Sequence, residues 1–104
     1  MAKVNKINRE IFERNARIYK LMANAKRLEI LDLLSGKEMT VTELVNAMGV
    51  RKANVSQHLA ILRYIKLVTV KRVGKNAFYK IADKKIAESY KIMNECWKNS
   101  KVNI

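Results

Sequence analysis

The apolar residues of this chain change their spacing after Ile65, and the change separates predicted helices from a predicted hairpin. Before that point they recur every three or four residues, as they do in amphipathic helices. Beyond it apolar and polar residues alternate, a turn follows at Gly74-Lys75-Asn76, and a second β-rich run comes at Phe78-Tyr79-Lys80-Ile81. Helical spacing returns after Asp83, which is the predicted N-cap of a last helix that runs to about Lys98. The 104 residues predict one domain, mostly α with a small β-hairpin, in the order α-α-α-α-β-β-α.

Capping residues mark where the first three helices begin or end. Asn8 and Asn24 are good N-caps for the first and second helices. Thr40-Val-Thr-Glu43 has the form of a capping box, which predicts a third helix that ends at Gly49. The chain ends are interpreted as a flexible basic arm over residues 1–7 and a frayed tail over residues 99–104.

The predicted third and fourth helices have the arrangement of a helix-turn-helix. The fourth is predicted over Asn54–Ile65, where Val55, Leu59 and Leu62 recur at i, i+4 and i+7 and leave polar side chains on the remaining surface. A short helix, a tight turn and a longer helix are typical of the motif whose second helix enters the major groove of DNA. The hairpin behind it is then the wing of a winged helix-turn-helix. The residues predicted to contact DNA from this motif are Arg51, Lys52, Asn54, Ser56, Gln57, His58 and Arg63.

The charge distribution indicates a polyanionic partner. The chain has 22 Lys and Arg against 9 Asp and Glu, a formal net charge of +13, and no acid occurs from Leu44 through Ala82. Double-stranded DNA is therefore the predicted partner. An anionic membrane surface is the competing one, but no apolar run approaches the roughly 20 residues needed to span a bilayer, and no signal sequence opens the chain.

Three further cations, Lys71, Arg72 and Lys75, lie at or near the tip of the predicted wing. Cations in that position can reach phosphates or the minor groove, so these three complete the predicted DNA-binding residues. The alternative is a solvated hairpin whose basic residues are ordinary surface side chains.

The first and last helices carry matching apolar stripes. Phe12, Ala16, Tyr19 and Ala23 repeat at spacings of 4, 3 and 4, and so do Ile86, Tyr90, Met93 and Trp97. Either both stripes are buried inside one domain, or one of them packs on a second subunit, and we favour the second. The predicted homodimer interface through the first and last helices consists of Phe12, Tyr19, Ile86, Tyr90, Met93 and Trp97.

The chain has one cysteine and one histidine, which limits its chemistry. Cys96 alone cannot form an intrachain disulfide and suits a reducing cytoplasm, and it is expected to be buried and inert. His58 borders the apolar stripe beside Leu59, where a histidine more often packs or contacts a phosphate than binds a metal. No nucleophile, base and acid come together in the pattern, so no enzyme is expected.

Ordered segments along nearly the whole chain carry a family resemblance. They are Ala25-Lys-Arg-Leu-Glu-Ile-Leu-Asp-Leu-Leu34, Val41-Thr-Glu-Leu44, Asn54-Val-Ser-Gln-His-Leu-Ala-Ile-Leu62, Leu67-Val68 and Arg72-Val-Gly-Lys-Asn-Ala-Phe-Tyr79. This set resembles the ArsR/SmtB family of bacterial and archaeal transcriptional repressors. The resemblance implies a homodimeric winged-helix repressor whose terminal helices form the dimer interface and which leaves its palindromic operator when an inducer, often a metal ion, binds. It places the recognition positions at Asn54, Ser56, Gln57 and His58.

The chain departs from that family where inducers bind. Arsenic, cadmium and lead sensors carry a cysteine pair in the helix corresponding to residues 41–48, which has none here. Zinc and cobalt sensors place an Asp-x-His pair and two more histidines on the last helix, where this chain has Asp83 but then Lys85, Cys96 and Asn99. We therefore predict no metal site and no cofactor. The alternatives are a thiol-responsive regulator that switches through Cys96, or a winged-helix module that binds RNA or another protein.

Two more departures concern the ends of the recognition helix. The family usually caps this helix with Ser or Thr, whereas Arg51 stands there with Lys52 beside it. Each cation is unfavourable against the positive helix end by roughly 0.3 to 1 kcal/mol, which docked phosphates would relieve. Lys66 follows Ile65 where the family commonly has Gly, so the turn there is expected to be either strained or differently shaped.

Overall fold

The computed structural model describes residues 8–99, which form five helices and one two-stranded antiparallel sheet. The elements are α1 (Arg9–Met22), α2 (Ala25–Gly36), α3 (Val41–Met48), α4 (Lys52–Tyr64), β1 (Val68–Val73), β2 (Asn76–Ile81) and α5 (Lys84–Lys98). This order confirms the predicted winged helix-turn-helix. The predicted basic arm and most of the predicted tail lie outside the described residues; Asn99 is described and caps α5.

The predicted helix caps are present. The side chains of Asn8, Asn24 and Asp83 each accept a backbone N–H from the first turn of the helix that follows. At α3, Thr40 Oγ1 accepts from the Glu43 N–H at 3.1 Å and Glu43 Oε1 accepts from the Thr40 N–H at 2.9 Å. That second bond stabilises the carboxylate and lowers the pKa of Glu43.

Three predicted boundaries differ from the structure by one or two residues. Helix α4 begins at Lys52 instead of Asn54, because Arg51 has extended backbone and its carbonyl already accepts the N–H groups of Asn54 and Val55. It ends at Tyr64 instead of Ile65, which is the C-cap and is followed by the left-handed Lys66. Strand β2 begins at Asn76, because Val73 pairs with Asn76 and only two residues form the turn.

The core lies between α2, α3, α4 and β1. The predicted stripe of the fourth helix is buried as expected, and Ile30 and Leu44 are fully buried against it. All of these side chains are apolar, so the core holds α4 through one face only. The buried core residues are Ile30, Leu31, Leu34, Met39, Leu44, Val55, Leu59, Leu62 and Val68.

A short backbone bridge ties the wing to this core. The N–H of Met39 donates to the carbonyl of Tyr79 at 3.0 Å, and the N–H of Tyr79 donates to the carbonyl of Met39 at 2.8 Å. Met39 is itself buried. The wing is therefore attached to the loop before α3 as well as to the end of α4, which limits how freely it can move relative to the helix-turn-helix.

The two terminal helices have no buried residue in one protomer. Helix α1 packs mainly on α4, and α5 packs mainly on α2 and β2. Their largest apolar side chains stay exposed, among them Phe12 at 61%, Tyr19 at 68% and Met93 at 61%. Within residues 8–99 no helix combines the length and the apolar character that crossing a bilayer requires.

Candidate nucleic-acid interface

Helix α4 presents a polar face on the side away from the core. Val55, Leu59 and Leu62 fix one side of the helix in the core, and at about 100° per residue Gln57 lies on the opposite side. Asn54 and Ser56 flank it, and all three of these polar side chains are exposed. Amide and hydroxyl groups on the free face of a helix can donate to and accept from base edges.

Cations stand at both ends of this face. Arg51 and Lys52 are exposed at the start of α4, and Arg63 is exposed in its last turn. Lys52 and Arg63 are three turns apart, roughly 17 Å along the helix axis. The N-cap Arg51 makes no side-chain capping bond, so the first N–H groups of α4 have no side-chain partner from the cap residue. The helix start thus combines free donors, a positive dipole end and two cations, which is a suitable arrangement for a phosphate.

The wing carries its predicted cations on different sides. Lys71 pairs across the sheet with Phe78, and Arg72 pairs with Ala77. Because side chains alternate along a strand, Lys71 and Arg72 point to opposite faces of the hairpin. Gly74 has φ +61° and forms the tip together with Lys75. All three wing cations are exposed, but only Lys75 lies at the tip itself.

Acidic side chains do not neutralise this surface. Across residues 8–99 there is a single ion pair, between the Lys26 ammonium and the Glu29 carboxylate at 4.0 Å. Both residues belong to α2, outside the acid-free segment. The cations of α4 and the wing therefore keep their charge available to a partner.

His58 is half-buried and is held by a residue that the sequence did not indicate. The Nε of Arg27 donates a hydrogen bond to the Nδ1 of His58 at 3.3 Å. The pKa of His58 is lowered, first because burial disfavours the charged imidazole and then because Arg27 and Lys26 are positive. Burial and these two cations therefore disfavour the imidazolium form of His58.

The end of α4 has a left-handed residue where glycine is favoured. Lys66 has φ +63°. The Leu67 N–H donates to the Leu62 carbonyl at 3.0 Å and the Lys66 N–H donates to the Arg63 carbonyl at 3.0 Å, which together form a Schellman motif. Of the two outcomes expected for this turn, the structure has the strained one.

The predicted dimer residues fall into two groups. Tyr19, Ile86, Tyr90 and Met93 line an open groove of about 440 Å³ between α1, α2 and α5, whereas Phe12 and Trp97 do not line it. Phe12, Tyr19, Met93 and Trp97 are all exposed. The structure therefore brings four of the six predicted residues to one concave apolar surface that the protomer itself leaves open.

The predicted chemistry of Cys96 needs one correction. The thiol was expected to be buried, but Cys96 is exposed in the protomer, because α5 buries none of its residues. Within residues 8–99, no three His, Cys, Asp or Glu side chains gather into a group that could hold a metal ion.

Sequence reasoning missed two residues of this surface. Arg27 is separated from His58 by 31 residues, so only the tertiary fold brings them together. Tyr64 ends α4 with 81% of its surface exposed, and it lies seven residues after Gln57, on the same face. An aromatic residue two turns after Gln57 was the available signal.

Comparison with known proteins gives a consistent result. The sequence profile described as bacterial regulatory protein, arsR family, matches residues 24–70. A transcriptional repressor SmtB homolog from Synechocystis is 36% identical over 76 residues, which are 73% of this chain and 58% of that protein. The regulator Rv0081 of Mycobacterium tuberculosis is 34% identical over 79 residues, covering 75% of this chain and 69% of that protein. The chain spans only 55% and 58% of the first two curated relatives it matches.

Solved structures agree over a longer stretch. The solution structure of the homodimeric winged helix-turn-helix DNA-binding domain of Mb0332 from Mycobacterium bovis superposes with a TM-score of 0.83 and 28% identity. The match covers 98% of this chain and 94% of that one. The elements found here are therefore those of a known DNA-binding fold.

Proposed function

The chain belongs to the arsR family of bacterial regulatory proteins, and we propose that it is a transcriptional regulator that binds a palindromic operator in double-stranded DNA as a homodimer. The observation that carries the proposal is helix α4. Its buried stripe fixes it in the core while Asn54, Ser56 and Gln57 remain exposed on its free side, in a segment without acids. A helix held in this way is suited to the major groove.

Two classes of contact follow from the side chains. Gln57 and Asn54 can bond a base edge through two atoms, which is the usual way such side chains read adenine. The exposed cations can only pair with phosphates or with acceptors such as guanine, and those at the helix start and wing tip are best placed for the backbone. The proposed phosphate contacts are Arg51, Lys52, Arg63, Lys71, Arg72 and Lys75, and the proposed base or mixed contacts are Asn54, Ser56, Gln57 and His58.

The proposed dimer rests on the apolar surface of the terminal helices. Phe12, Tyr19, Met93 and Trp97 expose between 45% and 68% of their surface in one protomer. Side chains of this size are rarely left exposed together on a monomer. A second copy that covers α1 and α5 would bury them and place two α4 helices for two half-sites. The homodimeric state of Mb0332 supports the same arrangement.

For the inducer we propose that the family's metal sites are absent. His58 lies on the recognition helix α4, where it accepts a hydrogen bond from Arg27 of α2. It is far in sequence from Asp83 and Cys96, which belong to the last helix. Repression through operator occupancy is the proposed mode, supported by the repressor named among the relatives. The second candidate is a thiol-responsive regulator, which the exposed thiol of Cys96 favours.

The test is selection of bound duplexes from a random pool, followed by competition with single-stranded RNA. We expect the selected sequences to share a palindrome with half-sites about one helical turn apart, or a multiple of it, and the RNA to compete poorly. The variant Gln57→Ala leaves the net charge of the protein unchanged and should alter the selected sequence. Selection that yields no common sequence, or RNA that competes equally well, would contradict the proposal.

A further inference from the structure

Arg27 joins three helices through one half-buried side chain. Its Nη1 donates to the carbonyl of Leu21 at 2.6 Å, in the last turn of α1. Its backbone N–H donates to the Asn24 side chain that caps α2, at 3.2 Å. Its Nε donates to Nδ1 of His58 on α4 at 3.3 Å. The Leu21 carbonyl belongs to the last turn of its helix, where carbonyls lack an intrahelical partner, so Arg27 satisfies it.

The bond to His58 decides which imidazole nitrogen carries the proton. A guanidinium has only N–H donors, so the ring nitrogen that faces it must be the acceptor. In a neutral imidazole the other nitrogen, Nε2, then bears the hydrogen. Protonation of Nδ1 would place two donors against each other and break the contact. The charged groups facing His58 from α2 are Arg27 and Lys26, and Lys26 is partly offset by Glu29.

We propose that Arg27 is a positioning residue for DNA recognition, which holds His58 in the Nε2–H form so that α4 offers a neutral donor to an acceptor atom on a base edge. The proposal rests on the proposed function. The acceptors that fit are N7 or O6 of guanine, N7 of adenine and O4 of thymine, all in the major groove. A phosphate would favour an imidazolium, which Arg27 opposes, so a base edge is the better partner. Arg27 also gives α1, the proposed dimer helix, a direct link to the recognition helix.

The first test uses the free protein and needs no DNA. His58 is the only histidine of the chain, so an untagged, nitrogen-15-labelled sample gives the signals of one imidazole. Two-bond proton–nitrogen correlations distinguish the two neutral forms. We expect mainly Nε2–H in the wild type at pH 7.5 and a mixture of both forms in Arg27→Met. An Nδ1–H form in the wild type, or an unchanged form in the variant, would overturn the proposal. An Nδ1–H form in the wild type would overturn the proposal even if the variant does not fold.

The second test measures binding to the duplex selected by the wild type and to an unrelated duplex. The variants are Arg27→Met, His58→Ala and the double variant, with Lys26→Met as the control that removes a neighbouring cation. We expect Arg27→Met and His58→Ala each to weaken the selected duplex about fivefold beyond the control, which is the scale of one hydrogen bond. The double variant should be no weaker than either single one.

Three other binding results would count against the positioning role of Arg27 or against the proposed function. If Arg27→Met weakens both duplexes alike and lowers the salt slope by about one, Arg27 contacts a phosphate and the positioning role is wrong. Additive losses in the double variant would also refute it. If the wild type prefers no duplex, the proposed function fails, whereas the tautomer measurement still decides whether Arg27 positions the ring.

Discussion

Replacing Lys66 with glycine should stabilise the fold. Lys66 is exposed and has φ +63°, in the left-handed region that a side chain occupies at a cost of about 1 to 2 kcal/mol. Glycine removes this strain but loses about 0.4 to 1 kcal/mol through the greater freedom of the unfolded chain. The Schellman hydrogen bonds use only backbone atoms, so they survive the change. The net gain is about 1 kcal/mol, which raises Tm by about 4 to 8 °C for a domain of this size.

Thermal unfolding followed by circular dichroism measures the effect, with all samples at one protomer concentration because a dimer's Tm depends on it. Lys66→Ala is the matched control: it removes the same charge but keeps a Cβ in the left-handed conformation. We expect Lys66→Gly above wild type and Lys66→Ala close to it. Equal shifts in the two variants would mean that charge removal, and not backbone strain, sets the stability of this turn.

The proposed dimer surface, the buried side of His58 and the proposed lack of a metal site can each be tested separately. Met93→Lys should dissociate the proposed dimer or unfold it, whereas Val73→Lys, an equally drastic change at an exposed wing residue, should do neither. Analytical ultracentrifugation at micromolar concentration measures the mass, and equal masses for the wild type and Met93→Lys would contradict this prediction. The pKa of His58 in the folded protein lies below its ordinary value of about 6.5, so its contribution to the free energy of unfolding should be constant above pH 6.5 and should fall as the pH drops through the folded pKa. Urea titrations at several pH values measure this dependence, and His58→Gln should remove it. An unchanged pH profile in the variant would refute the assignment to His58. Zinc, cobalt, nickel, cadmium and arsenite should each change the affinity for the operator by less than about threefold, which is a coupling below ~1 kcal/mol. Release of DNA at micromolar metal would contradict the proposed absence of a metal site.

The sequence predicted most of the fold because its local signals agree with one another. The capping box at Thr40 and the stripe of α4 are set by neighbouring residues, and the structure contains both. The sequence shows that Lys66 stands where the family commonly has Gly, and this left two possibilities, a strained turn or a turn of different shape. The positive φ of Lys66 in the structure corresponds to the strained turn.

The remaining features depend on tertiary packing. Met39 lies in a loop with no periodic pattern, and it is buried only because the wing bridges to it. The link from Arg27 to His58 crosses 31 residues and leaves no sequence signal. Cys96 was placed wrongly, because its burial was inferred from residue type, whereas α5 exposes its whole C-terminal part in one protomer.

We propose that helix α4 reads bases while the wing binds the phosphate backbone. The most direct measurement compares Gln57→Ala with Lys75→Ala on a panel of single-base operator variants over a range of salt concentrations, with Lys98→Ala as a charge control on α5. We expect Gln57→Ala to change which base pair is preferred by about 1 to 3 kcal/mol at an unchanged salt slope, and Lys75→Ala to weaken every duplex alike and lower the slope by about one. If Lys75→Ala instead altered the preferred sequence while Gln57→Ala left it untouched, the assignment of the two elements would be contradicted.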